Sequence, residues 1–121
     1  MQDDTWPIPL SASDRDRINR LRRCLLARLY ALFQKVPYAS MEIQDLMAGC
    51  STTPEDLNWN LVYLEKAGFV QLGRSYPPPP FVASAVAITA SGIDLVEDGG
   101  ALQDRLPIQS DRPETDSTPP Q

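Results

Sequence analysis

The chain is expected to fold as a small α+β domain, mostly helical, in which three helices lead into a β-hairpin and a closing helix. Three observations predict this. Apolar residues recur at spacings of three and four from Ile18 to Leu32 and again from Leu57 to Leu64, the period of helices with one buried face. Strand-like apolar segments at 69–73 and 82–88 flank a proline run, the pattern of a hairpin. Gly68 and Thr89 mark the joins, one as a helix stop and the other as a helix cap. A length of 121 residues allows one domain with one modest core.

Residues 1–12 contain Trp6, Pro7 and Pro9 without periodicity and read as an arm, pinned by Trp6. The folded domain is expected over 13–98. Ser13 is placed as the N-cap of the first helix, with Asp14 and Asp16 complementing the helix dipole. Ile18, Leu21, Leu25, Leu29 and Leu32 form its apolar face, and Pro37 ends it near Lys35. Ser40 is expected to cap a short second helix with Ile43, Leu46 and Met47 inward and Gly49 at its end. Thr53 caps a third helix over 54–67, with Pro54 at the first position and Leu57, Leu61 and Leu64 as the buried stripe.

In the second strand Val82, Val86 and Ile88 should share one face, and Ala83, Ala85 and Ala87 the other. Pro77 to Pro80 cannot be central sheet and read as a stiff polyproline hairpin tip. Residues near Tyr38 to Ser40 are expected to add a short third strand. Ile93, Leu95 and Val96 pack the last helix, which Gly99 and Gly100 end. Residues 99–121 are polar, acidic and proline-containing, the composition of a disordered tail.

The net charge is −5, from 11 basic and 16 acidic residues, whereas a nucleic-acid-binding domain is ordinarily basic. The charge is uneven. Seven of the 11 cations (Arg15, Arg17, Arg20, Arg22, Arg23, Arg28 and Lys35) lie in the first helix, while acids dominate from Asp94 onward. Two cysteines and no histidine exclude a conventional zinc site. With no signal-like or membrane-spanning apolar run, the chain reads as cytoplasmic, and both cysteines as small core residues in a reducing compartment. There is no glycine-rich phosphate loop and no nucleophile–base or paired-carboxylate arrangement, so no enzyme and no cofactor are expected.

Ser40 with Leu46, Cys50-Ser51, Leu61-Leu64-Glu65-Lys66-Ala67-Gly68-Phe69-Val70 and Ile88-Thr89-Ala90-Ser91-Gly92 resemble the winged helix-turn-helix superfamily over about residues 14–98. The resemblance is to small bacterial regulators related to multiple-antibiotic-resistance and arsenic repressors, and more weakly to winged-helix proteins of transposable bacteriophages. It implies a small transcriptional regulator that reads the major groove of double-stranded DNA with the helix 54–67. It matches Ser51, Thr52 and Thr53 to phosphate contacts, Asn58, Trp59, Asn60 and Tyr63 to the reading face, and Arg74 to the base of the wing. Arg17, Arg20 and Arg23 would add backbone contacts, and the first helix would support a homodimer.

The residues themselves keep a second reading open. The third helix has no Arg or Lys before Lys66, although these supply the commonest specific base contact. Glu55 and Asp56 stand where phosphates would lie. Trp59 and Tyr63, four residues apart, share a helix face suited to a protein partner. The alternative is therefore a non-catalytic protein–protein interaction winged helix that uses this acidic and aromatic face.

Overall fold

The computed structural model describes residues 11–109. The expected arm, including Trp6, and the chain beyond Gln109 lie outside that range. Five helices and three short strands follow in the order α1 (Ala12–Lys35), β1 (Met41–Glu42), α2 (Ile43–Gly49), α3 (Pro54–Lys66), β2 (Val70–Gly73), β3 (Ala85–Ile88), α4 (Ala90–Glu97) and α5 (Gly99–Arg105). The class is α+β, mostly helical. The strands form one antiparallel sheet in the order β1-β3-β2.

Helix α1 begins one turn-fraction earlier than expected, because the Ser11 hydroxyl, not that of Ser13, accepts the Asp14 N–H. Helix α2 also departs from expectation. Its N-cap is Glu42, without a side-chain cap bond, because Met41 and Glu42 pair with Val86 and Ala85 and the helix starts where that pairing ends. The third strand is thus 41–42 rather than 38–40. Thr53 and Thr89 cap α3 and α4 as read from the sequence, accepting from the amides of Asp56 and Gly92.

Gly68 ends α3 with φ at 90°, a conformation that an L side chain rarely adopts. Gly92 is required for a different reason: a Cβ there would lie 2.3 Å from the Phe69 carbonyl oxygen, so only glycine lets α4 pack on the chain entering β2.

One core joins all the helices to the sheet. Leu25, Leu26 and Leu29 of α1 meet Ile43, Leu46, Leu57, Leu61 and Leu64. Val70 and Leu72 point inward from β2 while Gln71 and Gly73 are exposed. Leu72, Val86 and Met41 align across the three strands. Each fully buried leucine contributes about 1.5–3 kcal/mol of transfer free energy.

Regular pairing in β3 starts only at Ala85, so the expected alternation fails before it: Ala83 is buried and Val82 is exposed. The prolines do not form a continuous polyproline tip either. Tyr76 has φ at 53°, and the Phe81 N–H turns back to the Pro78 carbonyl, which lets Phe81 enter the core.

A further expectation is corrected. Cys24 and Cys50 are not separate core thiols; they form a disulfide, with Cα atoms 5.9 Å apart, that ties the middle of α1 to the end of α2. No described helix is long and apolar enough to cross a membrane.

Residues 99–105, expected within a disordered tail, are helical. Gly99 and Gly100 open α5 instead of closing α4, because the Asp98 carboxylate accepts the amides of Gly100 and Ala101. Leu106, at the end of α5, has 0% exposure in the core.

Candidate functional site

Helix geometry sorts the side chains of α3 into three sets. Leu57, Asn60, Leu61 and Leu64 face the core. Glu55, Trp59 and Lys66 form the outward stripe, with Val62 between them half-buried against the core; Trp59 is 44% exposed. Asn58 and Glu65 flank the β2–β3 connection, and Asp56 and Tyr63 flank α1.

This arrangement engages much of the expected reading face inside the molecule. Asn60 is 1% exposed: its Oδ1 accepts the Arg22 Nε–H at 2.8 Å, and its Nδ2 donates to the Asp56 carbonyl at 2.8 Å. It is a buried link and not a base-reading residue. The polar group is tolerated in the core because both ends of its amide are satisfied.

Asn58 clamps the proline loop. Its Nδ2 donates to the Pro80 carbonyl at 3.0 Å and its Oδ1 accepts the Val82 N–H at 3.1 Å. Arg74 is ion-paired with Glu65, which holds the start of the loop to α3. Tyr63 is half-buried under Arg22, whose guanidinium carbon lies 3.6 Å from the ring centroid. Of the four expected reading residues, Trp59 remains on the outward face, and its indole N–H reaches the Asp56 carboxylate at 3.4 Å.

The expected phosphate residues do come together. Ser51, Thr52 and Thr53 line a cleft of about 330 Å³ with Arg17, Arg20 and Asp56. Thr53 uses its hydroxyl oxygen to cap α3, whereas Ser51 and Thr52 have no side-chain hydrogen bond among the described residues. Ser51 holds φ at 50° at the turn. Arg17 pairs with Asp56 at 3.7 Å across this cleft.

Arg20 and Arg23, expected as backbone contacts to nucleic acid, instead grip the end of the described chain. Arg23 donates to the Leu106 carbonyl at 2.9 Å and to Gln103 at 2.6 Å; Arg20 donates to the Gln109 carbonyl at 3.0 Å. Asn19 donates to the Pro107 carbonyl at 2.8 Å, and Asp16 accepts the Gln109 N–H. Residues 106–109 thus form a strap along α1, held by main-chain hydrogen bonds and by the Leu106 side chain buried in the core. The Arg20 side chain, and next the Gln109 N–H, keep the Asp16 carboxyl below its ordinary value.

The sequence reading did not single out Arg22, Arg105 or the strap. The strap had a legible signal: Asp98 as an N-cap before Ala101, Leu102 and Leu106, which lie at helical spacing. Arg22 had none, since its neighbours come from a helix 38 residues away.

Among the described residues, no group of three His, Cys, Asp or Glu side chains could hold a metal ion. No protein-family model, curated protein or solved structure matches the chain.

Proposed function

We propose that the chain is a non-catalytic winged-helix protein that docks a protein partner on the outward face of α3. In this reading, β2 and β3 with their proline loop are the wing, and α2 and α3 are the helix-turn-helix. The observation that carries it is the composition of the exposed stripe. Glu55, Trp59 and Lys66 present an aromatic group between an acid and a base, while the two asparagines able to pair with adenine edges are engaged within the fold. A half-exposed tryptophan on a rigid helix is the kind of side chain that anchors protein interfaces.

The test is a pull-down with the full chain and its Trp59→Ala variant, both shown to be folded by circular dichroism. Loss of a specifically recovered protein in the variant is expected. Equal recovery by both proteins contradicts the reading.

Binding of duplex DNA is the second reading, and the Ser51–Thr53 cleft favours it. Two hydroxyls without hydrogen-bond partners among the described residues stand there beside Arg17, at the N-terminal end of α3 where backbone amides favour anions. Asp56 in the same cleft opposes it.

A further inference from the structure

On the α1 side of Trp59, aromatic rings and guanidinium groups alternate. Arg22 lies 5.6 Å from the Trp59 centroid and 3.6 Å from that of Tyr63; Arg105 lies 6.0 Å from Tyr63 and 5.3 Å from Phe69. Two cations from α1 and α5 therefore share one tyrosine ring on α3.

Their situation differs from that of the other arginines near this face. Arg17 pairs with Asp56, Arg20 with Asp16 and Arg74 with Glu65. Neither Arg22 nor Arg105 has a carboxylate partner among the described residues, although acids outnumber bases in the sequence. Burial, chiefly, lowers the Arg22 pKa; Tyr63 opposes that shift, and the nearby Arg105 charge adds to it. Arg22 is also fixed in place, by its Nε bond to Asn60 and its stacking on Tyr63. Like charges held together in a partly desolvated setting are unfavourable, and an anion between them offsets that cost with charge-assisted hydrogen bonds.

We propose that this site takes the carboxylates of an acidic peptide segment, docked between Arg22 and Arg105 over Tyr63, with an apolar residue of the same segment against Trp59. This deepens the docking function proposed above and rests on it. A peptide is favoured over duplex DNA by charge spacing. A duplex presents a negative charge every ~1.7 Å of its axis, and Glu55 and Asp56, one turn before Trp59, would face that continuous charge. A peptide can place one or two carboxylates on the arginines and leave those acids in water.

The test uses the full chain and a short fluorescein-labelled peptide alternating Glu and Leu, with a Gln-for-Glu analogue as control, read by anisotropy. The Glu peptide should bind, and the analogue at least about tenfold more weakly. Arg105→Gln, at an exposed side chain, should weaken the Glu peptide about fivefold, the upper range for an exposed ion pair, without altering melting. Trp59→Ala should weaken both peptides.

Equal binding of the two peptides, unaffected by Arg105→Gln but lost in Trp59→Ala, would leave the docking face standing and overturn its acidic specificity. Absence of Glu-peptide binding also overturns that specificity. Competition by a short DNA duplex whose own binding falls in Arg105→Gln would reassign the arginines to phosphate and overturn the proposal.

Discussion

Asn60 accepts the Arg22 Nε–H at 2.8 Å beneath α3, and this bond ties a residue expected on the reading face to an arginine of α1. It takes Asn60 out of any reading face. It also turns Arg22 toward Tyr63 and away from the solvated side of α1.

Replacing Asn60 with alanine should therefore destabilise the fold without removing any surface group. The Arg22 Nε–H and the Asp56 carbonyl would both lose a partner. A loss of about 1–3 kcal/mol is expected, the cost of leaving buried polar groups unsatisfied, measured by urea unfolding of Asn60→Ala against wild type. A change within a few tenths of a kcal/mol would mean that the amide link is incidental.

The strap makes the end of the described chain part of the domain. Leu106 has 0% exposure, and the carbonyls of residues 106, 107 and 109 are each held by an α1 side chain. Leu106→Ala should cost about 2–5 kcal/mol, as other fully buried leucines do. Thermal unfolding of Leu106→Ala against wild type checks this.

Acid should loosen the strap. Asp16 is held below its ordinary value of 3.8, first by Arg20 and then by the Gln109 amide. A carboxyl whose folded-state pKa is depressed contributes stability that is present above its unfolded pKa and lost as pH falls through the folded value. The strap contact should thus be intact above about pH 4 and weaken below it. The Gln109 amide resonance, followed by NMR as pH is lowered, should shift in the wild type. In Asp16→Asn that acid-dependent shift should be absent.

The disulfide between Cys24 and Cys50 closes a loop with a sequence separation of 26. By the chain-entropy argument it contributes about 3 kcal/mol. Unfolding in urea with and without a thiol reductant should show a drop of that order, and Cys24→Ser should reproduce it without reductant. Alkylation of the untreated protein should label neither cysteine.

Local rules served well wherever one segment carries its own signal. Thr53 with Pro54, Gly68 and Thr89 define their helix ends through side-chain caps and a single positive φ, so α3 and α4 begin as read, and the buried stripe Leu57–Leu61–Leu64 is correct. The readings that failed depend on partners distant in sequence. Met41 and Glu42 become strand only because β3 lies beside them, and that pairing displaces the start of α2 from Ser40. Asn58 resembles a surface amide until Pro80 and Val82 arrive 22 and 24 residues later. The arginines of α1 look like an electrostatic face by count, but their roles separate only when Arg22 meets α3, Arg23 meets α5 and Leu106, and Arg20 meets Gln109. The glycine pair at 99–100 was misread because a helix stop and a helix start after an Asp cap share the same composition.

The central claim is that α3 presents a docking face and does not read bases. The most direct measurement is selection of the full chain against a randomised DNA duplex library at low salt, where phosphate contacts are strongest. The docking account predicts that no sequence motif is enriched and that residual binding is the same for wild type and Trp59→Ala. Enrichment of one motif by the wild type, lost in Trp59→Ala or Lys66→Ala, would contradict it and establish α3 as a reading helix.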